Sequence, residues 1–143
     1  MSALHDLLAG RPDEHTQRFN QLEKVELRQF TTMVNAAFFE GARQRFLKDG
    51  VPATDEEIID YVAWARTWDD STAQELDPDT GEQLIKVVVE KLPMTAMDDL
   101  DNNISYSSKL MLVATFVREA KYDEEGLAEF MARVRKTADM MLS

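Results

Sequence analysis

Residues 110–117, LMLVATFV, carry a single polar side chain, Thr115. In a helix such a run is apolar on every side, and a helix apolar on every side is buried on every side. It falls well short of the ~20 residues that span a bilayer, so its walls must be protein. Other stretches of the 143-residue chain offer one-sided apolar patterns that can supply them. The fold that follows is all-α. It is an irregular bundle of four to five helices, with a long first helix and a buried central helix near 105–120, capped by Asn103 or Ser105.

The remaining helices are read from period and punctuation. Between 13 and 48 the only helix breaker is Gly41, and Phe19, Leu22, Leu27, Phe30, Val34, Phe38 and Leu47 recur mostly at three- and four-residue steps. Asp49-Gly50-Val51-Pro52 reads as the glycine cap and proline stop of that helix. Some 33 residues at 1.5 Å rise give roughly 50 Å of helix, against about 37 Å across a compact globule of this length. The first helix must therefore bend, break or protrude, and the β-branched pair Thr31-Thr32 is the expected break. Thr54 with Asp55, Glu56 and Glu57 starts a second helix at 55–67, whose buried face includes Ile58, Ile59, Val62, Ala65 and Trp68. Residues 69–82, with their Asp-Pro-Asp-Thr-Gly, read as a polar connector. Residues 84–92 fit a helix through Leu84, Ile85, Val88 and Leu92 and a strand through Val87-Val88-Val89, with the helix favoured. Asp123 caps a last helix with the stripe Leu127, Phe130, Met131, Val134, Ala138 and Met141. Before all of these, Gly10, Pro12 and Asp13 leave 1–12 as a flexible arm, with 13–143 as a single domain.

Charge narrows the function classes. The net charge of -11 is not spread evenly, because residues 50–104 hold fourteen acids and three bases while the flanking segments are balanced. Such a segment repels phosphate, so no direct nucleic-acid partner is expected, and it attracts a basic protein surface instead. With no signal-like apolar run and no membrane span, the expected location is cytoplasmic. The absence of cysteine removes thiolate metal sites, and the two histidines, His5 and His15, lie in the N-terminal region without neighbouring ligands. Residues 77–82, DPDTGE, begin like a calcium loop but place the glycine fifth instead of sixth. Trp64, Trp68 and the methionines Met111, Met131, Met140 and Met141 read as core, except for the apolar chain end at Met140-Met141-Leu142. No catalytic spacing and no cofactor motif is present.

The reading that follows is a small acidic protein-protein interaction module, such as an adaptor, an inhibitor or immunity-like protein, or an assembly subunit. Asp69, Asp70, Glu75, Asp77, Asp79 and Glu82 are its expected contacts with a basic partner, and the long first helix could also pair with a second copy. One alternative is catalytic. Glu23-Lys24-Val25-Glu26 and Glu57-Ile58-Ile59-Asp60 each place two carboxylates on one helical face. Together with EEIIDYVAWAR at 56–66 they are similar to the all-helical nucleotide pyrophosphohydrolases of the MazG type. That resemblance implies magnesium held by Glu23, Glu26, Glu57 and Asp60 for hydrolysis of a nucleotide pyrophosphate, and it requires a sharp break in the first helix to bring the pairs together.

Overall fold

The computed structural model describes residues 24–142. The expected arm, the beginning of the first helix, both histidines and Glu23 lie outside the described residues, and Glu26 is described by its backbone alone. Six α-helices follow in order: α1 Lys24–Phe46, α2 Asp55–Ala65, α3 Asp70–Glu75, α4 Pro78–Val88, α5 Asn102–Ala120 and α6 Glu124–Leu142. Two short strands, β1 Leu47–Lys48 and β2 Val51–Pro52, link α1 to α2, and a 3₁₀ turn at Met94–Met97 precedes α5. The described residues thus form an all-α bundle with one small hairpin.

The apolar run sits where its composition demands. Every residue from Leu112 to Val117 is buried, with α1 and α4 as the main walls of α5 and α2 and α3 completing them. Thr115 is accommodated because its hydroxyl donates to the Met111 carbonyl at 2.9 Å, one turn back in its own helix. Facing it, α1 packs along both α5 and α6 and buries Phe30, Val34, Phe38 and Phe46. Full burial of each such side chain contributes about 1.5–3 kcal/mol.

Five helix starts are fixed by side-chain caps, that of α6 by Asp123, which accepts from the Gly126 amide at 2.7 Å. Thr54 accepts from the Glu57 amide at 3.2 Å, Asp69 from Thr72 at 2.7 Å, Asp77 from Thr80 at 2.9 Å and Asp101 from Asn103 and Ile104 at 2.9 and 3.0 Å. Asp101 therefore replaces the expected Asn103 or Ser105 cap, and α5 begins at Asn102. The same caps convert most of the expected connector at 69–82 into helix. Asp69 initiates the six-residue α3, and Asp77 with Pro78 at the first helical position initiates α4. Pro at that position loses nothing, since its missing N–H has no partner inside the helix.

Two further expectations are corrected. α1 does not break at Thr31-Thr32 but runs through it, and Thr32 returns its hydroxyl to the Arg28 carbonyl at 3.0 Å. The Asp49-Gly50 pair does not cap α1; it forms the two-residue turn of the hairpin, with both residues at positive φ, 53° and 78°. Residues 84–92 are helical only to Val88. There Glu90, at φ 65°, closes α4 with bonds from its amide to Val87 and from the Lys91 amide to Lys86. This is the glycine-favouring helix stop, built here on a glutamate.

Candidate functional site: an aromatic ladder on an acidic face

α2 buries Ile58, Tyr61, Val62 and Ala65, while Ile59 and Trp64 remain exposed. The chain leaves the helix at Arg66, so Trp68 follows in the turn, one step beyond Trp64. The two indoles meet edge to face at 5.5 Å and are 42% and 43% exposed. Both were expected in the core along with Ile59; α2 turns its opposite face to α4, and these three side chains lie outside that contact.

The indoles are the outer rungs of a continuous series of rings. Phe38 packs on Phe116 at 6.2 Å, Phe116 on Tyr61 at 5.7 Å, and Tyr61 on Trp64 at 5.5 Å. Arginines brace the series. The Arg45 guanidinium lies 5.0 Å from the Tyr61 ring centre and 5.3 Å from that of Phe46, and Glu119 holds it at 2.8 Å. Arg118 lies 5.8 Å from the Trp68 ring centre and 3.6 Å from the Asp69 carboxylate. The Tyr61 hydroxyl is buried and has no hydrogen-bond partner among the described residues. Its pKa is driven upward by desolvation first and by Glu119 second.

The six acids expected to meet a partner divide into two groups around α3 and α4. Asp69 and Asp77 use their carboxylates as caps. The Thr72 backbone amide, and then its hydroxyl, hold the Asp69 carboxyl below the usual carboxylate range. Asp70 and Asp79 lie in first turns, where they oppose the positive end of the helix dipole, and Glu75 closes α3; all three are exposed. Glu82 is half-buried, and desolvation, followed by repulsion from Asp79, raises its pKa.

Of the carboxylates implied by the pyrophosphohydrolase resemblance, Glu57 and Asp60 are exposed on α2. The α1 backbone at Glu26 is about 30 Å along the axis from Phe46 at 1.5 Å per residue, in a helix without interruption. The break needed to bring the two pairs together is absent from Lys24–Phe46. Among the described residues no three acids or histidines group as metal ligands, and no helix is long and apolar enough to cross a membrane.

Comparison of the chain with family models, curated proteins and solved structures gives no match.

Proposed function

We propose that the protein acts by contact, as a small acidic module that engages a basic protein surface, with Trp64 and Trp68 as its apolar anchors. The observation that carries this reading is the pair of half-exposed indoles, with Asp60 one turn before them and Asp69 and Asp70 immediately after. Indoles at the centre of an interface supply large contact area and attract cations to their faces. Arg118 makes both interactions within the fold, lying over Trp68 and beside Asp69. A partner arginine or lysine would find the same pairing, while the surplus acids of α2, α3 and α4 steer its approach.

Adaptor, inhibitor and assembly subunit are all forms of this reading. In the inhibitor form, carboxylates occupy positions that phosphates take on a nucleic-acid-binding partner. The test is retention of proteins from native extract on the immobilised chain at low salt. A basic protein is expected to be retained, to elute with rising salt, and to be lost from the Trp64→Ser/Trp68→Ser double variant. Retention indifferent to both salt and the double substitution refutes the reading. Sedimentation separates it from self-association through α1, and magnesium-dependent release of pyrophosphate from a nucleotide, abolished by Glu57→Gln, would replace it with the catalytic alternative.

A further inference from the structure

A cavity of about 780 Å³ opens between α1, α4, the 3₁₀ turn, α5 and the end of α6. That volume lies within the range of small-molecule pockets, roughly 300–1,000 Å³. Its walls are apolar, built from side chains such as Phe38, Phe39, Val87, Val88, Leu92 and Met97. At its mouth are Met94 and Met141, 72% and 47% exposed. Methionine is the side chain best able to reshape itself around a variable apolar guest.

The polar groups of this cavity are few and unequal. Lys91 is engaged elsewhere, donating to the Ala53 carbonyl at 2.7 Å and to Asp55 at 2.8 Å. Lys109 is different: its ammonium donates to the Asn35 side-chain carbonyl at 3.1 Å, and among the described residues it has no carboxylate partner. Burial pushes its pKa below that of an exposed lysine. An ammonium carries three donors and no acceptor, so the Asn35 bond leaves donors in hand. A part-buried cation without a counter-ion is costly, and a ligand anion would relieve that cost.

We propose that this cavity binds an apolar monocarboxylate of the fatty-acid class, its tail against the α1 and α4 walls and its carboxylate on the Lys109 ammonium. One uncompensated cation matches one negative charge. A phosphate dianion would need a second free cation, which Lys91, already held by Asp55, does not supply, and Glu90 on the lining repels a dianion more than a monoanion. This inference does not depend on the contact reading, because the cavity shares no residue with the indole pair.

The test is calorimetric titration of the full chain with dodecanoate and with dodecanol, below their aggregation thresholds. Dodecanoate is expected to bind saturably. Lys109→Met weakens it about tenfold to a hundredfold, the worth of a hydrogen bond to a charged group, and leaves dodecanol affinity unchanged; Val88→Trp, which fills the cavity, weakens both. In the wild-type chain, dodecanoate is expected to protect Lys109 from reductive methylation while Lys48 stays reactive, a readout that does not depend on either variant folding. The proposal is overturned by absence of saturable dodecanoate binding, by equal protection of both lysines, by unchanged dodecanoate affinity in folded Lys109→Met, or by Val88→Trp binding both probes like wild type.

Discussion

Gly41 sits in the C-terminal third of α1 against the Phe116 ring. A Cβ added there would come to 2.5 Å from Phe116 Cδ2 and 3.3 Å from Cγ and Cε2, where carbon pairs settle at about 3.5–4.0 Å. The ring would have to retreat by about 1 Å to restore that spacing. It is hemmed in by Phe38 at 6.2 Å, Phe46 at 5.9 Å and Tyr61 at 5.7 Å, all buried. In an open helix Gly→Ala gains about 1 kcal/mol, whereas overpacking a closed core costs about 1–3 kcal/mol. With so short an approach the upper half of that cost applies, so Gly41→Ala is expected to lose about 1–2 kcal/mol net. In the Phe116→Leu background the obstruction is gone, and the same substitution is expected to be neutral or to gain up to about 1 kcal/mol. The measurement is urea unfolding followed by circular dichroism for the four members of the cycle, with a coupling of about 1–3 kcal/mol expected. If Gly41→Ala is as stabilising in the wild-type chain as in the Phe116→Leu background, the account of this contact is wrong.

Other predictions concern single positions. Glu90→Gly relieves a left-handed backbone at the end of α4 and is expected to gain about 1 kcal/mol in the same unfolding assay. Asp69→Ala removes the α3 cap and is expected to cost about 1 kcal/mol at neutral pH, while Asp69→Asn keeps most of it. Because the folded Asp69 carboxyl titrates below its unfolded value, its contribution is present above the ordinary carboxylate pKa and disappears as pH falls through the folded pKa. The difference between wild type and Asp69→Asn is therefore expected to change with pH only in the acid limb, and a constant offset would contradict this. Glu82 has the opposite sign: its pKa is raised, so the stability it confers is present at acid pH and lost as pH rises through the folded value. Glu82→Gln is accordingly expected to raise the neutral-pH unfolding midpoint and to leave the acid-limb midpoint unaltered.

Legibility from the chain alone followed the strength of the local signal. The run at 110–117, the Thr54 cap and the stripe of α6 each carry redundant information, and their helices appear where periodicity puts them. The segment 69–82 misled because Asp, Pro, Thr and Gly serve turns and helix starts alike. What separates the two is the Asp-x-x-Thr spacing, present at both Asp69 and Asp77, which places an amide opposite each carboxylate. Asp49-Gly50 was ambiguous for a related reason, since a positive-φ pair serves a helix stop or a hairpin, and only the Leu47–Pro52 pairing selects the hairpin. Trp64 and Trp68 have core-like spacing, and nothing in the sequence records where α4 ends its cover of α2. The cavity at Lys109 was invisible because its walls come from segments far apart in the chain.

The ring series has a practical consequence. Both tryptophans of the chain are its outer rungs, and Tyr61 lies 5.5 Å from the nearer one, linking them to Phe116 in the core. Tryptophan emission from the unlabelled protein therefore comes from this one face, with the Tyr61 phenol as a neighbouring donor. Quenching by iodide or a shift in emission colour would read out what covers that face, with no dye attached.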